Sequence, residues 1–417
     1  MLSVLHISTA DNLGGSGRSA YRIHCGLREL GHRSRMLVRT RVTNDPDVGF
    51  PHGGRPIVRG LDLLGRYVVD RLDLQYWWYP SSFLLTRHPW FREADIIQLY
   101  NTHGGYFSHL ALPRISRQRP VVWRLSDMWP LTGHCAYSHD CERWQAGCGS
   151  CPLLGDYPAL KRDTTALLWK VKKSVYDRSK LVVVVTNSWM AGLVKESPLL
   201  GRFPVRTIPN GVDTEIFRPI PKAAARESLG IPLHAKVVLF SAHVAATGTR
   251  KGGEYVRPAL ERVAASGVRD LVLVVIGEGA EAWEGSPQYR TIRMGFTQSD
   301  RLLASIYAAA DVLLHPAVVE NLANGIIESL ACGTPVAAFR VGGVTDVVRD
   351  GETGYLARLR DVEDLSEGLR KLFLTQKMQP DMAKQCRRTI EAGYTRETEL
   401  RHFASLYEEM VRDRAIP

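Results

Sequence analysis

The sequence has no run approaching the roughly 18 apolar residues that a membrane-spanning helix needs; the best, Leu181–Val185, reads as a buried strand. It also lacks the marks of a secretory leader, because the opening MLSVLHIS has neither a basic region nor a long apolar core. Cysteine is scarce, with seven in 417 residues, which argues against a disulfide framework. Internal repeats and low-complexity segments are missing as well. Together these absences predict a cytoplasmic protein with reduced thiols, one that at most rests on the inner face of a membrane.

What is present is a chain too long for one ordinary core, which points to two domains. Its charge is uneven. Residues 1–210 carry 28 Lys and Arg against 16 Asp and Glu, whereas residues 211–417 carry 26 against 27. A basic first half suits an anionic partner: nucleic acid, a membrane surface or a phosphorylated substrate. Strand-like runs are expected at Ser3–Ser8, Ser34–Val38, Ile96–Leu99, Val121–Leu125 and Leu181–Thr186. The second half adds Val237–Ala242, Leu271–Ile276, Val312–His315 and Pro335–Ala338, and helical patterns lie between, among them Ser19–Leu30, Tyr255–Ala265, Arg301–Ala310 and Gly325–Ala331. This alternation predicts an α/β fold of two doubly wound parallel sheets, with ligands at the carboxyl ends of the strands. The turn- and proline-rich segment 206–221 reads as the joint. The expected division is residues 1–208, residues 209–390, and a C-terminal segment 391–417 whose amphipathic helix packs back toward the first domain.

Three motifs carry chemistry. In LGGSGRSAY (13–21), glycines between a strand and a helix let backbone approach an anion at the helix N-terminus. Gly14, Gly15 and Gly17 do not match the dinucleotide G-x-G-x-x-G. In TRKGGEYV (249–256), Arg250 and Lys251 precede a helix near a strand end, where two cations can neutralise a leaving phosphate. In VVENLANGIIESLACGTPV (318–336), Glu320 lies in the loop before a helix and Glu328 about one turn inside it, roughly 6 Å along the axis. Buried carboxylates need partners, and such a pair suits sugar and ribose hydroxyls.

Glu320-x7-Glu328, followed by SLACGTPVAAFRVGGVTDVVRDGETGYL, resembles the retaining family 4 glycosyltransferases of the GT-B fold. GGSGRSAY, IPNGVDTEIF and ADVLLHPAVVEN match the same pattern in order, so the resemblance spans nearly the whole chain. DMWPLTGHCAY with the cysteines after it further resembles a subgroup that includes colanic-acid-type polysaccharide enzymes. The resemblance implies GT-B architecture, two Rossmann-like domains facing a central cleft. It implies that Gly14 and Gly15 line the donor diphosphate and that Lys251, with Arg250, stabilises the leaving nucleoside diphosphate. Glu320 and the amides of Asn321, Leu322, Ala323 and Asn324 would hold the donor sugar and phosphate. Glu328 would bind the ribose, and the backbone of Met294, Gly295 and Phe296 would meet the base. Transfer would retain configuration and need no metal; the sole Asp-x-Asp spacing, Asp45-Pro46-Asp47, falls in an expected loop.

This chain departs from the family twice. Ala242-His243 stands where members often have Gly-Arg, so Arg250 is the expected substitute. Ser126-Asp127 stands where many have His-Asp, which makes His103 the leading replacement and His134 a weaker one. Ser126, Asp127 and His134 are the expected acceptor-side residues. The acceptor would be a glycan, a lipid-linked sugar or a small molecule such as an aminosugar natural product. Residues 55–92 mix arginines with apolar and aromatic residues, which suits a peripheral contact with an anionic membrane; an aromatic core is the alternative. Competing classes are a nucleotide-sugar epimerase and a zinc-bearing nucleic-acid binder, and the second leaves the two-glutamate motif unexplained, so no nucleic-acid partner is expected.

The stretch HCAYSHDCERWQAGCGSC (134–151) holds Cys135, Cys141, Cys148 and Cys151 in a C-x5-C-x6-C-x2-C pattern. Four thiolates and a closing C-x2-C suit a closed structural zinc site, with His134 or His139 able to replace one sulfur. An iron–sulfur cluster and four free thiols are the alternatives. The expectation is a metal-stapled loop that shapes acceptor entry, with no cofactor for catalysis.

Overall fold

Runs such as VVVV and LVLVVI are apolar on every side, and such strands belong in parallel sheets covered on both faces. The structure, a computed structural model, describes residues 1–241, 249–374 and 379–415. Two compact units form: Met1–Ile208 together with the segment from Leu400 onward, and Pro209–Glu399. In the first unit, seven strands run parallel: β1 (Ser3–Ala10), β2 (Arg33–Thr40), β3 (Val48–Gly49), β4 (Ile96–Leu99), β5 (Val121–Arg124), β6 (Val182–Val185) and β7 (Val205–Thr207). Their order is β3-β2-β1-β4-β5-β6-β7, with Leu5 opposite Ile97 and Leu99 opposite Trp123. In the second unit, β8 (Lys236–Ser241), β9 (Leu271–Ile276), β10 (Arg290–Arg293), β11 (Val312–His315), β12 (Val336–Phe339) and β13 (Gly354–Ala357) line up as β10-β9-β8-β11-β12-β13, again parallel. Strand order reverses between β1 and β4 and between β8 and β11, the places where open α/β sheets bind ligands.

Four strands escaped the sequence reading: β3, β7, β10 and β13. Each has two to four residues, and arginines or glycine dilute the apolar signal; neighbouring strands decide them. The first helix begins at Gly14, not Ser19. Leu13 is extended, so the glycines themselves form the first turn of Gly14–Glu29. The remaining helices fall close to expectation, at Gly253–Ala265, Asp300–Ala309 and Asn324–Ala331. Ala242 and His243, where the expected arginine is replaced, lie outside the described residues.

The final helix, Arg396–Ala415, lies in the expected C-terminal segment. It seats Leu400, Phe403 and Tyr407 against Val4, Ile23, Leu27, Ile96 and Val122 of the first unit. The Tyr407 hydroxyl donates to Gln98 Oε1 at 3.1 Å.

Candidate functional site

In the second unit, Glu320 follows β11 and is 5% exposed. The short 3-10 turn Thr249–Lys251 is docked against the same segment, the Val318 amide donating to the Arg250 carbonyl at 2.9 Å. Gly252 makes that approach possible. It is left-handed (φ +66°), and a Cβ there would lie 1.8 Å from the Pro316 carbonyl oxygen. The turn delivers both cations to one carboxylate. Lys251 Nζ is bonded to Glu320 Oε2, and Arg250 Nη1 lies 3.2 Å from the same oxygen. Burial would raise the Glu320 pKa, but Lys251, Arg250 and His315 hold it well below the ordinary carboxylate range. Burial also lowers the Lys251 ammonium, against the pull of Glu320.

Sequence reading missed His315. Its Nε2 lies 3.6 Å from Glu320 Oε2, and burial lowers its pKa, so it is a neutral imidazole near pH 7. It closes an apolar strand five residues before Glu320, a place that carries no spacing signal of its own. Asn321 donates its amide to Glu320 Oε1 at 3.2 Å. Glu328, 4% exposed, accepts from the Tyr307 hydroxyl at 3.3 Å, and Asn324 Oδ1 accepts from Asn210 Nδ2 at 2.7 Å. Met294, Gly295 and Phe296 follow the end of β10, with Phe296 exposed.

In the first unit, three strand ends converge. Gly14 is left-handed at φ +64°, and side chains at Gly14 or Gly15 would meet nothing within 4 Å, so this turn opens outward. Ser16 Oγ bonds Ser126 Oγ at 3.1 Å, tying the turn to the end of β5. His103, after β4, bonds Asp127 Oδ2 through Nε2 at 2.7 Å, and the Tyr157 hydroxyl lies 3.4 Å from its Nδ1. Asp127 also accepts from Asn101 Nδ2 at 3.3 Å and from the Trp129 amide at 3.0 Å. The histidine and aspartate picked separately from the sequence thus form one buried pair, the carboxylate orienting the imidazole. Asp45 instead binds Arg28, at 2.7 Å, and caps a structural cluster.

The cysteine loop differs from expectation. Cys135, Cys141, Cys148, Cys151 and His134 line one cavity of about 20 Å³. Yet among the described residues no group of three or more His, Cys, Asp or Glu is arranged to hold a metal ion, so the zinc staple is not borne out. Burial pushes the Cys135 thiol up to about 12 and raises Cys148 and Cys151. Backbone amides of Gly133 and Leu153 point at Cys148 and Cys151 sulfurs, at 3.2 and 3.4 Å. His139 turns away to Asp156 at 3.4 Å. The loop is held by Lys172, fully buried, whose ammonium donates to the carbonyls of Trp129 and Thr132 at 2.7 and 2.9 Å and sits over the Trp129 ring. His134 Nδ1 adds a bond to the Pro158 carbonyl at 3.0 Å.

Residues 13–216 match the family model described as Glycosyltransferase Family 4, and residues 235–374 match Glycosyl transferases group 1. The chain belongs to the family 4/group 1 glycosyltransferases. It is 36% identical over 189 residues to D-inositol 3-phosphate glycosyltransferase of Acidothermus cellulolyticus, covering 42% of this chain and 41% of that one. The chain spans under half the length of the curated relatives it matches first. Those relatives carry the inositol phosphate name, so the colanic-acid-type subgroup is not confirmed. Sucrose-phosphate synthase of Thermosynechococcus elongatus aligns over 98% of this chain and 99% of its own, at TM-score 0.69 and 18% identity. Anabaena HepE in complex with UDP-glucose aligns over 97% and 99%, at 0.64 and 15%. At these identities the likeness is one of fold: each unit of this glycosyltransferase-family chain is a Rossmann-like half of the GT-B architecture.

Proposed function

We propose that the chain is a retaining glycosyltransferase that moves a sugar from a nucleotide diphospho-sugar to a hydroxyl of a glycan, lipid-linked sugar or small molecule. The observation that carries the reading is the pairing of Lys251 and Arg250 with the buried Glu320 beside the N-terminus of Asn324–Ala331. A donor diphosphate competes for the two cations, and the released carboxylate then accepts donor-sugar hydroxyls. Charge growing on the departing phosphate is met by cations already in place, which is the main catalytic term. The acceptor oxygen bonds the anomeric carbon on the face the phosphate leaves, and its proton passes to a phosphate oxygen. Glu328, oriented by Tyr307, takes the ribose. His103, oriented by Asp127, meets the acceptor. No metal enters this reading.

Incubation with UDP-, GDP-, ADP- and TDP-sugars should release nucleoside diphosphate with one base and give a product of unchanged anomeric configuration. Conversion of the donor into an epimer without diphosphate release would favour the epimerase instead. The inositol phosphate named for the relatives belongs in the acceptor panel beside glycans and aminosugars.

Among the described residues no helix is long and apolar enough to cross a membrane. One helix suits lying on one. Pro56–Arg71 buries Gly65 and Val69 and leaves Ile57, Leu61, Leu64 and Val68 exposed. Those four recur at spacings of four, three and four, a single stripe. Arg55 and Arg71 stand at its ends, and anionic headgroups complement the basic first half. We infer that this stripe rests on an anionic bilayer.

A further inference from the structure

The opposite flank of the same helix borders a cavity of about 210 Å³ in the first unit. Arg59 and Arg66 are seven residues apart, so both lie on one face. Arg39, near the end of β2, reaches the cavity from the sheet, its Nη1 bonded to the Gly104 carbonyl. Across from them, Tyr79 and Ser81 line the wall, each 1% exposed. The Tyr79 hydroxyl has no hydrogen-bond partner among the described residues, while the Ser81 hydroxyl is within reach of the Asp62 carboxylate. A buried hydroxyl left unpaired is costly, so one such group in a wall beside arginines points to a ligand that accepts hydrogen bonds. A side chain at Gly105 would meet the Tyr79 hydroxyl at 3.2 Å and Arg66 Nε at 3.6 Å, which marks where the donors converge.

Two carboxylates border the site. Asp62, in the lining, is turned to the Ser81 amide at 3.0 Å, and burial raises its pKa. His52 stacks on Phe50, ring centroids 5.1 Å apart. Asp70 pairs with Arg66 at 3.4 Å, and both it and Asp62 act on the Tyr79 hydroxyl, opposed by Arg66 and Arg39. Guanidinium forks match phosphate oxygens in shape and charge. Gly104 and Gly105 directly follow His103, so a group held here is adjacent in the chain to the histidine assigned to the acceptor.

We propose that this cavity is a phosphate-binding subsite, with Arg39, Arg59, Arg66 and Tyr79 as donors, and that the acceptor carries an organic phosphate. The assignment to the acceptor rests on the sugar-transfer reading; the phosphate site itself does not. The phosphate belongs either to a soluble sugar or polyol or to a lipid, and both present the same oxygens.

Calorimetry on the full chain with inorganic phosphate tests it. The wild type should bind, Arg39→Gln/Arg59→Gln should weaken binding at least about tenfold, and Tyr79→Phe should weaken it severalfold with an unchanged melting temperature. Lys173→Gln, whose exposed ammonium pairs with Asp177, should stay within about twofold. Glucose 6-phosphate binding tighter than glucose and than inorganic phosphate supports a soluble source; phosphate-displaceable binding to phosphatidic acid vesicles supports a lipid one. No phosphate binding by the wild type, or binding that survives the arginine pair and falls with Lys251→Ala, overturns the proposal. If the wild type consumes no nucleotide sugar while the arginine-dependent binding persists, the transfer reading fails and the phosphate site stands.

Discussion

Removing the Lys251 ammonium leaves the buried Glu320 carboxylate with Arg250 and His315 and takes away a charge aimed at the leaving phosphate. Lys251→Ala and Glu320→Gln should each lower nucleoside diphosphate release by about 10²- to 10³-fold, with melting temperatures showing that both fold. Lys172 yields a different prediction. Burial lowers its pKa from 10.5 to about 7, so between those values the unfolded chain holds the proton that the folded chain has given up. Stability should therefore rise with pH across that window, by on the order of 1.4 kcal/mol per unit from this group. Lys172→Met should flatten the slope relative to wild type, read as denaturant midpoints between pH 7.5 and 9.5. Lys251, Glu320 and Glu328 could be singled out in the sequence because charged residues among small and apolar neighbours are conspicuous. His315 and Tyr307 could not, since a histidine closing an apolar strand and a tyrosine on a helix carry no spacing signal; only strand pairing and helix packing bring them to the carboxylates.

At the scale of elements, the helix Pro56–Arg71 is unusual in what it leaves uncovered. Of its 16 residues two are buried, so its packing rests on a narrow seam while an apolar stripe meets solvent. Leu61→Ser/Leu64→Ser should reduce co-sedimentation with phosphatidylglycerol vesicles at low salt several-fold and leave the melting temperature within a few degrees. Equal sedimentation of wild type and variant would remove the membrane contact. Strongly apolar strands such as β9 and β11 were legible to the residue, because burial on both faces demands unbroken runs. The edge strands β3, β7, β10 and β13 were not, because an edge strand is defined by the neighbour it pairs with. The glycine turn at 13–17 was read as loop for a related reason: glycine disfavours helix interiors locally, and the strand-to-helix geometry overrules it.

At the scale of the whole molecule, the chain leaves the second unit after Glu399 and contributes its last helix to the first. Phe403 is fully buried there, its ring near Arg124. Phe403→Ala should cost about 3–5 kcal/mol, seen as an earlier unfolding transition in urea with a second transition, from the other unit, unmoved. A single shifted transition would mean that the two units unfold together.

The sequence alone determined the fold class, since alternating buried strands and amphipathic helices admit few arrangements other than parallel sheets with helices on both faces. It also determined the family, through motifs whose order and spacing survive without any contact being known. Tertiary structure decided what the chemistry-bearing residues do to one another. It joined Lys251 and Arg250 to Glu320, and His103 to Asp127, across strand ends remote in sequence. It set a buried lysine, Lys172, against the carbonyls that precede the cysteine loop, and it gathered arginines from a strand and a helix beside the unpaired Tyr79 hydroxyl. The reason is physical: burial and charge pairing depend on distances between elements, and local sequence pattern carries no record of those distances.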